Sequence, residues 1–249
     1  MTTSLDAREQ SRGTRPGLVE GRVAFVTGGT RGIGAAIAAH FADAGDTVLA
    51  PGRRECDVTD EAAVRAYFAD AGPVDVLVNN AGVSSSAPTA KTTLDDWRSQ
   101  FSVNATGAFL CTREVLPGMR ERDRGRIVTV ASTAGHAGYR YTAGYTASKH
   151  AAVGLMRAVS AEVAGTGVTA NAVCPAFVRT DMTAGSIARI HERTGRDEAA
   201  AEAALAASSP LGRLLEPREV AFAVAFLAAD EAAALNGQTL VLDGGGIQR

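Results

Sequence analysis

The feature that most constrains the fold is a regular alternation of short apolar runs with helix-length segments. The strand candidates are residues 22–27, 47–50, 74–78, 126–131, 168–173 and 238–242, and the helix candidates are residues 33–44, 61–71, 93–119, 145–164 and 217–229. Strands that alternate with helices build βαβ units on a parallel sheet. Strands that are buried on both faces have nearly continuous apolar runs, as these have. The sequence therefore predicts an α/β protein with one doubly wound parallel sheet and helices on both faces.

Two segments depart from this alternation. Residues 1–20 are polar and mixed in charge, which predicts a flexible tail and no secretory signal. Residues 21–249 show no repeat and no break in composition, which predicts one domain. Residues 181–210 within it are polar and rich in alanine. They predict a helical excursion that is either a substrate lid or a plain surface helix.

Charge and cysteine content exclude several classes of protein. Lysine and arginine number 25 and acidic residues 27, so no basic excess favours nucleic acid or an anionic membrane. The longest apolar run, residues 220–229, is far shorter than the ~20 residues that span a bilayer. The four histidines lack metal-ligand spacing, so we assign no metal. Cys56, Cys111 and Cys174 are too scattered for a disulfide framework, which favours a reducing, cytoplasmic location.

A glycine-rich segment, T-G-G-T-R-G-I-G over residues 27–34, separates the first strand from the first helix. Glycines let a backbone turn sharply and approach a ligand closely. The N-terminus of the following helix offers free N–H groups and the positive end of a dipole to phosphates. Glycine spacing alone also marks tight turns, but its position between a strand and an Ala-rich helix predicts a dinucleotide site.

The end of the second strand bears on which dinucleotide binds. An acidic residue at this point is typical of NAD sites, but Pro51 stands there and is followed by Arg53 and Arg54. Arginine complements a 2′-phosphate, which favours NADP(H), although NAD(H) stays possible. The alternative is that both arginines are solvated loop charges. The chain then continues almost directly to Asp57, without the helix that often separates such strands.

Three polar residues in the second half of the chain fit proton transfer. Tyr145 and Lys149 stand at i and i+4, hence on one face of a helix. A nearby ammonium favours the phenolate and predicts a lowered pKa for Tyr145. Ser132 follows the strand predicted at 126–131, at the carboxyl end where open parallel sheets bind ligands. Its hydroxyl can donate a hydrogen bond to the oxygen that exchanges the proton.

Together these motifs resemble the short-chain dehydrogenase/reductase family over about residues 21–246. The matching pieces are TGGTRGIG (27–34), Asp57 and Val58, NNAG (79–82), Asn104, Ser132, YTASK (145–149) and NAVCPAFVRT (171–180). The resemblance implies a Rossmann-like fold in which residues 21–249 form a dinucleotide-binding catalytic domain. It also implies a homotetramer.

The resemblance further implies a role for each motif residue. Tyr145 is the implied acid/base, and Lys149 lowers its pKa and holds the nicotinamide ribose. Ser132 positions the substrate oxygen, and Asn104 holds a water of the proton relay. With Arg53 and Arg54, the predicted cofactor-binding set is Gly28, Thr30, Arg31, Gly32, Ile33, Gly34, Arg53, Arg54, Asp57, Val58, Asn80, Ala81, Gly82, Tyr145, Lys149, Pro175, Val178 and Thr180. Ala176 departs from the glycine that the family usually has after this proline.

The implied reaction is the NAD(P)-dependent interconversion of a ketone and a secondary alcohol. Family analogy favours a 3-oxoacyl-thioester reductase. An NAD-dependent secondary-alcohol or hydroxyacyl dehydrogenase, in catabolism or natural-product tailoring, is the alternative. A non-catalytic nucleotide-sensing scaffold is the second alternative, although Tyr145 and Lys149 are both present. Residues 133–141, with His136, Tyr139 and Tyr141, are expected either to line the substrate pocket or to pack as an ordinary loop.

Overall fold

Six strands form the parallel sheet at the centre of the protein. In the computed structural model, which describes residues 21–248, they are β1 (Val23–Val26), β2 (Thr47–Leu49), β3 (Val76–Asn79), β4 (Gly125–Val130), β5 (Val168–Pro175) and β6 (Thr239–Leu242). They pair in the order β2-β1-β3-β4-β5-β6, which confirms the predicted doubly wound sheet. The predicted tail at residues 1–20 lies outside the described residues.

Helices cover both faces of this sheet. They are α1 (Gly32–Asp43), α2 (Glu61–Ala71), α3 (Leu94–Phe101), α4 (Ala108–Glu121), α5 (Ala143–Glu162), α6 (Asp181–Thr194), α7 (Glu198–Ala206) and α8 (Pro217–Ala228). One hydrophobic core lies under α1 and α8 and includes Ile37 and Val224. The other lies under α2, α4 and α5 and includes Phe68 and Met156.

The strands have continuous apolar sequences because both faces of the sheet are covered by helices. Successive side chains of a strand point to opposite faces. Phe25 therefore enters the core under α2, where its ring stacks on Phe68 at 4.3 Å, while Val26 enters the core under α1. Since both faces are covered, both positions are apolar. Because every strand pair is parallel, the carboxyl ends of the strands lie at one edge of the sheet.

The segment predicted as one helix over 93–119 contains an irregularity. α3 continues into a π-helical stretch, Ser102–Gly107, before α4 begins. A π-turn is wider than an α-turn and is frequent at functional sites. Here it lies around Asn104, one of the residues assigned from the family resemblance.

The corner after β2 is short, as the sequence indicated. Within residues 21–248, β2 is an edge strand that pairs with β1, and a loop over residues 50–60 leads directly into α2. Cys56 and Val58 in this loop are buried in the core under α2. The Asp60 carboxylate caps α2 by accepting hydrogen bonds from the N–H groups of Ala62 and Ala63.

The excursion over 181–210 consists of the two helices α6 and α7. α6 is capped by the Thr180 hydroxyl and ends at Gly195, whose φ of +69° closes the helix in the left-handed conformation. The Asp197 side chain caps α7. Across residues 21–248, every helix is too short or too polar to cross a membrane.

Candidate active site

The glycine-rich segment forms the turn between β1 and α1. Gly28 and Gly32 have φ values of +63° and +54°, a region that side-chain-bearing residues seldom occupy. A Cβ on Gly34 would lie 2.5 Å from Nδ2 of Asn80, so the helix approaches the next loop closely only with glycine there. No side chain caps the N-terminus of α1 at Arg31, so the N–H groups of its first turn stay available. This cradle fits a bound pyrophosphate.

A threonine hydroxyl ties the glycine turn to the loop after β3. Oγ1 of Thr27, which is 2% exposed, accepts hydrogen bonds from the backbone N–H groups of Asn80 and Ala81, both at 2.9 Å. Nδ2 of Asn80 donates back to the carbonyls of Thr27 at 2.9 Å and Gly28 at 3.2 Å. These hydrogen bonds hold the loop after β3, residues 80–82, against the glycine turn. Sequence reasoning left Thr27 out of the site, although it opens the glycine motif.

The loop after β5 lies against the same turn. A Cβ on Gly32 would contact the Thr180 methyl at 3.4 Å, and Val178 in this loop is buried. Arg31 and Asp181 form an ion pair at 3.6 Å, but both are about four-fifths exposed, so it adds little stability. The half-buried Ala176 donates its N–H to the Leu242 carbonyl at 3.0 Å, which ties this loop to the end of β6.

The corner after β2 holds both cations and an acid. Arg53 and Arg54 are exposed, and Nε of Arg53 donates to the Asp57 carboxylate at 2.9 Å. The Glu55 carboxylate accepts the N–H of Gly52 at 2.6 Å. A Cβ on Gly52 would lie 3.1 Å from that carboxylate and 3.0 Å from Oγ1 of Thr30. Sequence reasoning missed Glu55, which folds back toward the glycine turn.

Asp57 and Val58 also lie at this corner. The N–H of Thr59, followed by the Thr59 hydroxyl and Arg53, lowers the pKa of the Asp57 carboxyl. Val58 packs against the π-helical stretch, where a Cβ on Gly107 would lie 2.7 Å from its side chain. The corner is therefore joined to the region around Asn104.

The structure brings Ser132, Tyr145 and Lys149 together at the carboxyl edge of the sheet. Ser132 follows β4, and its side chain is hydrogen-bonded to Tyr145 on α5. Nζ of Lys149 lies 5.8 Å from the centre of the Tyr145 ring and donates to the Val130 carbonyl at 2.9 Å. A Cβ on Gly82 would lie 3.6 Å from this Nζ, so the loop after β3 borders the same group.

Burial governs the ionisation of this cluster. It raises the pKa of the Tyr145 phenol above its usual value, and the hydrogen bond with Ser132 opposes that effect only in part. Burial also lowers the pKa of Lys149, which is 5% exposed, to about 8. The sequence predicted a lowered pKa for Tyr145, and that prediction is wrong because burial raises it. The i, i+4 spacing shows that the two side chains are neighbours, but it does not show how far the fold removes both of them from water.

Asn104 in the π-helical stretch connects the loop after β3 with α5. Its Nδ2 donates to the Val83 carbonyl at 3.0 Å and to the Ser148 hydroxyl at 2.9 Å, while its Oδ1 accepts the Val83 N–H at 2.9 Å. The Ser148 hydroxyl donates to the Tyr145 carbonyl at 2.8 Å. A cavity of about 10 Å³, bordered by Asn104 and Lys149, is at the lower limit of space for one water molecule.

A larger cavity of about 220 Å³, here called the outer cavity, opens beside the first turn of α5. Its walls come from the loop over residues 85–92, α3, Tyr141 to Gly144, and α6. Gln100 on α3 fixes the first wall, since its side chain accepts the Ser85 N–H at 3.2 Å and donates to the Ser85 hydroxyl at 3.0 Å. Of the expected pocket residues in 133–141, Tyr141 lines this cavity, whereas His136 is buried outside its lining.

Comparison with known proteins gives a family for this arrangement. A family model described as "Enoyl-(Acyl carrier protein) reductase" matches residues 49–246. The granaticin polyketide synthase putative ketoacyl reductase 1 of Streptomyces violaceoruber is 41% identical, with 92% of this chain and 94% of that protein covered. The acetoacetyl-CoA reductase of Shinella zoogloeoides is 39% identical, with 90% and 98% covered.

A solved structure agrees in fold. It is an actinorhodin polyketide ketoreductase variant crystallised with NADPH, which is 37% identical and superimposes with a TM-score of 0.84 over 90% of this chain and 97% of that one. Sequence identity, coverage and topology lead to the same assignment. The chain belongs to the short-chain dehydrogenase/reductase family of NAD(P)-dependent oxidoreductases.

Proposed function

We propose that the protein reduces the ketone of a 3-oxoacyl thioester to a secondary alcohol with NADPH. The observation that carries this proposal is the cluster of Ser132, Tyr145 and Lys149 at the sheet edge, beside the glycine turn. The names of the relatives, ketoacyl reductase and acetoacetyl-CoA reductase, supply the substrate class. The assignment of NADPH as the cofactor is based on the related ketoreductase structure, which contains NADPH.

Each group of the cluster has a separate task in this reaction. A bound nicotinamide cofactor supplies the hydride. Tyr145 donates its phenolic proton to the oxygen that becomes the alcohol, and Ser132 donates a hydrogen bond to the same oxygen. Because burial raises the pKa of Tyr145, the phenol is protonated at neutral pH, which is the form that reduction requires. Lys149, close to the ring, stabilises the phenolate as the proton leaves.

The surrounding residues hold the cofactor and return the proton. The glycine turn and residues 80–82 hold the dinucleotide, and Arg53 or Arg54 binds its 2′-phosphate. The water-sized cavity beside Asn104 and Lys149 supports a role for Asn104 in a proton relay from solvent. Helices α6 and α7 form the substrate lid in this proposal, which is supported by the fact that α6 supplies one wall of the outer cavity.

The assembly proposed for the enzyme is a homotetramer in the cytoplasm. Phe222 and Phe226 stand one turn apart on the solvent side of α8 and are 68% and 49% exposed. Phe109 on α4 is also exposed. Apolar faces of this kind favour burial against further copies of the chain. Cys56, Cys111 and Cys174 are free thiols, which suits a reducing compartment.

The direct test is turnover of acetoacetyl-CoA, followed by the absorbance of the reduced nicotinamide with NADPH and with NADH. We expect a higher kcat/KM with NADPH and a loss of at least a hundredfold in Tyr145→Phe, which keeps the ring and removes the proton donor. NADPH binding by Tyr145→Phe, measured by fluorescence titration, controls for folding. Wild-type activity in this variant, or no turnover of any 3-oxoacyl thioester, would contradict the proposal.

One observation favours a second function, NAD-dependent oxidation of a secondary alcohol. The Glu55 carboxylate lies in the loop after β2, near Thr30, and an acid in this region is the usual partner of an unphosphorylated ribose. The cofactor preference separates the two functions. If Arg53→Gln and Arg54→Gln both leave the NADPH-to-NADH ratio of kcat/KM unchanged, the arginines do not bind a 2′-phosphate and the second function gains.

A further inference from the structure

The outer cavity contains two cations on one wall. Arg189 and Arg193 stand at i and i+4 on α6, and both line the cavity. The opposite walls supply hydroxyl groups from Ser85, Ser86 and Thr92. A further wall is formed by Gly144 in the first turn of α5, one residue before Tyr145, the proposed proton donor. A ligand in the outer cavity therefore contacts both the first turn of the helix that carries Tyr145 and the proposed lid helix α6.

These two arginines differ in their ion pairing from Arg179 and Arg213, which also lie near α6 and α7. Arg179 forms ion pairs with Glu202 at 3.0 Å and Glu216 at 3.2 Å, and Arg213 pairs with Glu219 at 2.7 Å. By contrast, among residues 21–248 neither Arg189 nor Arg193 has a carboxylate within ion-pair distance.

The guanidinium of Arg189 makes one side-chain hydrogen bond but leaves a buried N–H group without an acceptor. Its Nη2 donates to the Ser186 hydroxyl at 3.0 Å, whereas its Nε is buried without a hydrogen-bond partner. A buried N–H that lacks an acceptor costs free energy, which a bound acceptor recovers. The one acid that lines the cavity is Asp96, and its Oδ2 already accepts the Thr93 hydroxyl at 2.8 Å at the start of α3. With two guanidinium groups and one carboxylate, the lining of the cavity has a net positive charge.

We propose that the outer cavity binds an anionic group of the substrate, a phosphate or a carboxylate, through Arg189 and Arg193. This inference rests on the proposed function for its link to turnover. A thioester carried on phosphopantetheine would supply a phosphate, and a keto acid would supply a carboxylate. Both anions offer the forked acceptor geometry that a guanidinium binds well. The two arginines thereby select substrates by a group remote from the carbonyl.

The test measures binding, so that it does not depend on turnover. Isothermal titration calorimetry on the full chain saturated with NADPH compares 4′-phosphopantetheine with pantetheine, and 4-oxopentanoate with its methyl ester. The variants are Arg189→Gln and Arg193→Gln. Arg196→Gln, an exposed position just beyond α6, is the control for the loss of one positive charge. Thermal melting checks that each variant is folded.

We expect one charged ligand to bind about tenfold or more tightly than its neutral partner, as charge-assisted hydrogen bonds do. Arg189→Gln and Arg193→Gln each reduce this advantage to about threefold or less, and Arg196→Gln keeps it. The pair that responds identifies the anion as phosphate or carboxylate. Equal binding of charged and neutral ligands, or an advantage that survives both substitutions, overturns the inference. If the advantage is arginine-dependent but no 3-oxoacyl thioester is reduced, only the proposed function fails.

Discussion

The Thr27 hydroxyl gives a prediction whose size follows from the contacts. Thr27→Val keeps the shape of the side chain and removes an oxygen that accepts two N–H groups, each at 2.9 Å, in a position that is 2% exposed. Leaving a buried donor unsatisfied costs about 1–3 kcal/mol. The Asn80 N–H also donates to the Val78 carbonyl at 3.0 Å, so of the two groups only the Ala81 N–H loses its acceptor. We therefore expect the free energy of unfolding to fall by about 2 kcal/mol.

The matched variant is Thr27→Ser, which keeps the hydroxyl and removes one methyl group. Its expected loss is about 1 kcal/mol, because a small cavity forms but both N–H groups keep their acceptor. Urea unfolding followed by far-UV circular dichroism measures both variants. The same hydroxyl positions Asn80 and Ala81 beside the glycine turn, so Thr27→Val should also weaken NADPH binding at least threefold, as measured by fluorescence titration.

The contrast between Thr27→Val and Thr27→Ser shows whether the hydroxyl or the methyl group of Thr27 stabilises the protein. If Thr27→Ser destabilises the protein as much as Thr27→Val, packing of the methyl group matters and the hydroxyl does not. If Thr27→Val unfolds within about 0.5 kcal/mol of the wild type, the two hydrogen bonds contribute nothing net. Either result refutes the reasoning that one oxygen holds the two cofactor loops together.

Three further predictions concern other parts of the chain. The folded pKa of Lys149, about 8, lies below the unfolded value near 10.4, so the unfolded chain binds more protons between these pH values. Stability of the wild type relative to Lys149→Met should therefore rise from pH 8 to pH 10, by on the order of 3 kcal/mol in urea unfolding, and a flat difference would contradict the burial of the ammonium. Glu55→Gln should raise the NADPH-to-NADH ratio of kcat/KM about fivefold by removing a negative charge near the 2′-phosphate, and an unchanged ratio would place Glu55 outside the cofactor site. Phe222→Glu with Phe226→Glu should reduce the assembly to smaller species in sedimentation velocity, whereas an intact tetramer would locate the interface elsewhere.

The fold could be predicted because its determinants are local in sequence. Both cores need apolar side chains on both faces of each strand, and the chain displays them as continuous runs. The helix α2 was predicted with its observed bounds, Glu61–Ala71, since Asp60 caps its start and Gly72 follows its end. The π-helical stretch around Asn104 was missed, because it lies between α3 and α4 without a break in the helical backbone that the sequence could mark.

The parts of the site that escaped the sequence depend on contacts across long separations. Glu55 looks like a surface charge until the fold turns its carboxylate toward Gly52 and Thr30. Gln100 has no motif of its own, and only the packing of α3 brings it to Ser85. Arg189 and Arg193 lie in the excursion, where composition predicted a helix but not which of its residues line the outer cavity.

The ionisation of Tyr145 shows how burial can reverse an inference from spacing. The i, i+4 pair with Lys149 suggests that the ammonium stabilises the phenolate, which would suit alcohol oxidation. In the fold, the Lys149 ammonium is itself buried and donates to the Val130 carbonyl, while burial raises the pKa of the phenol. A protonated phenol is ready to give a proton and not to take one. The raised pKa of Tyr145 therefore agrees with its proposed role as the proton donor in ketone reduction.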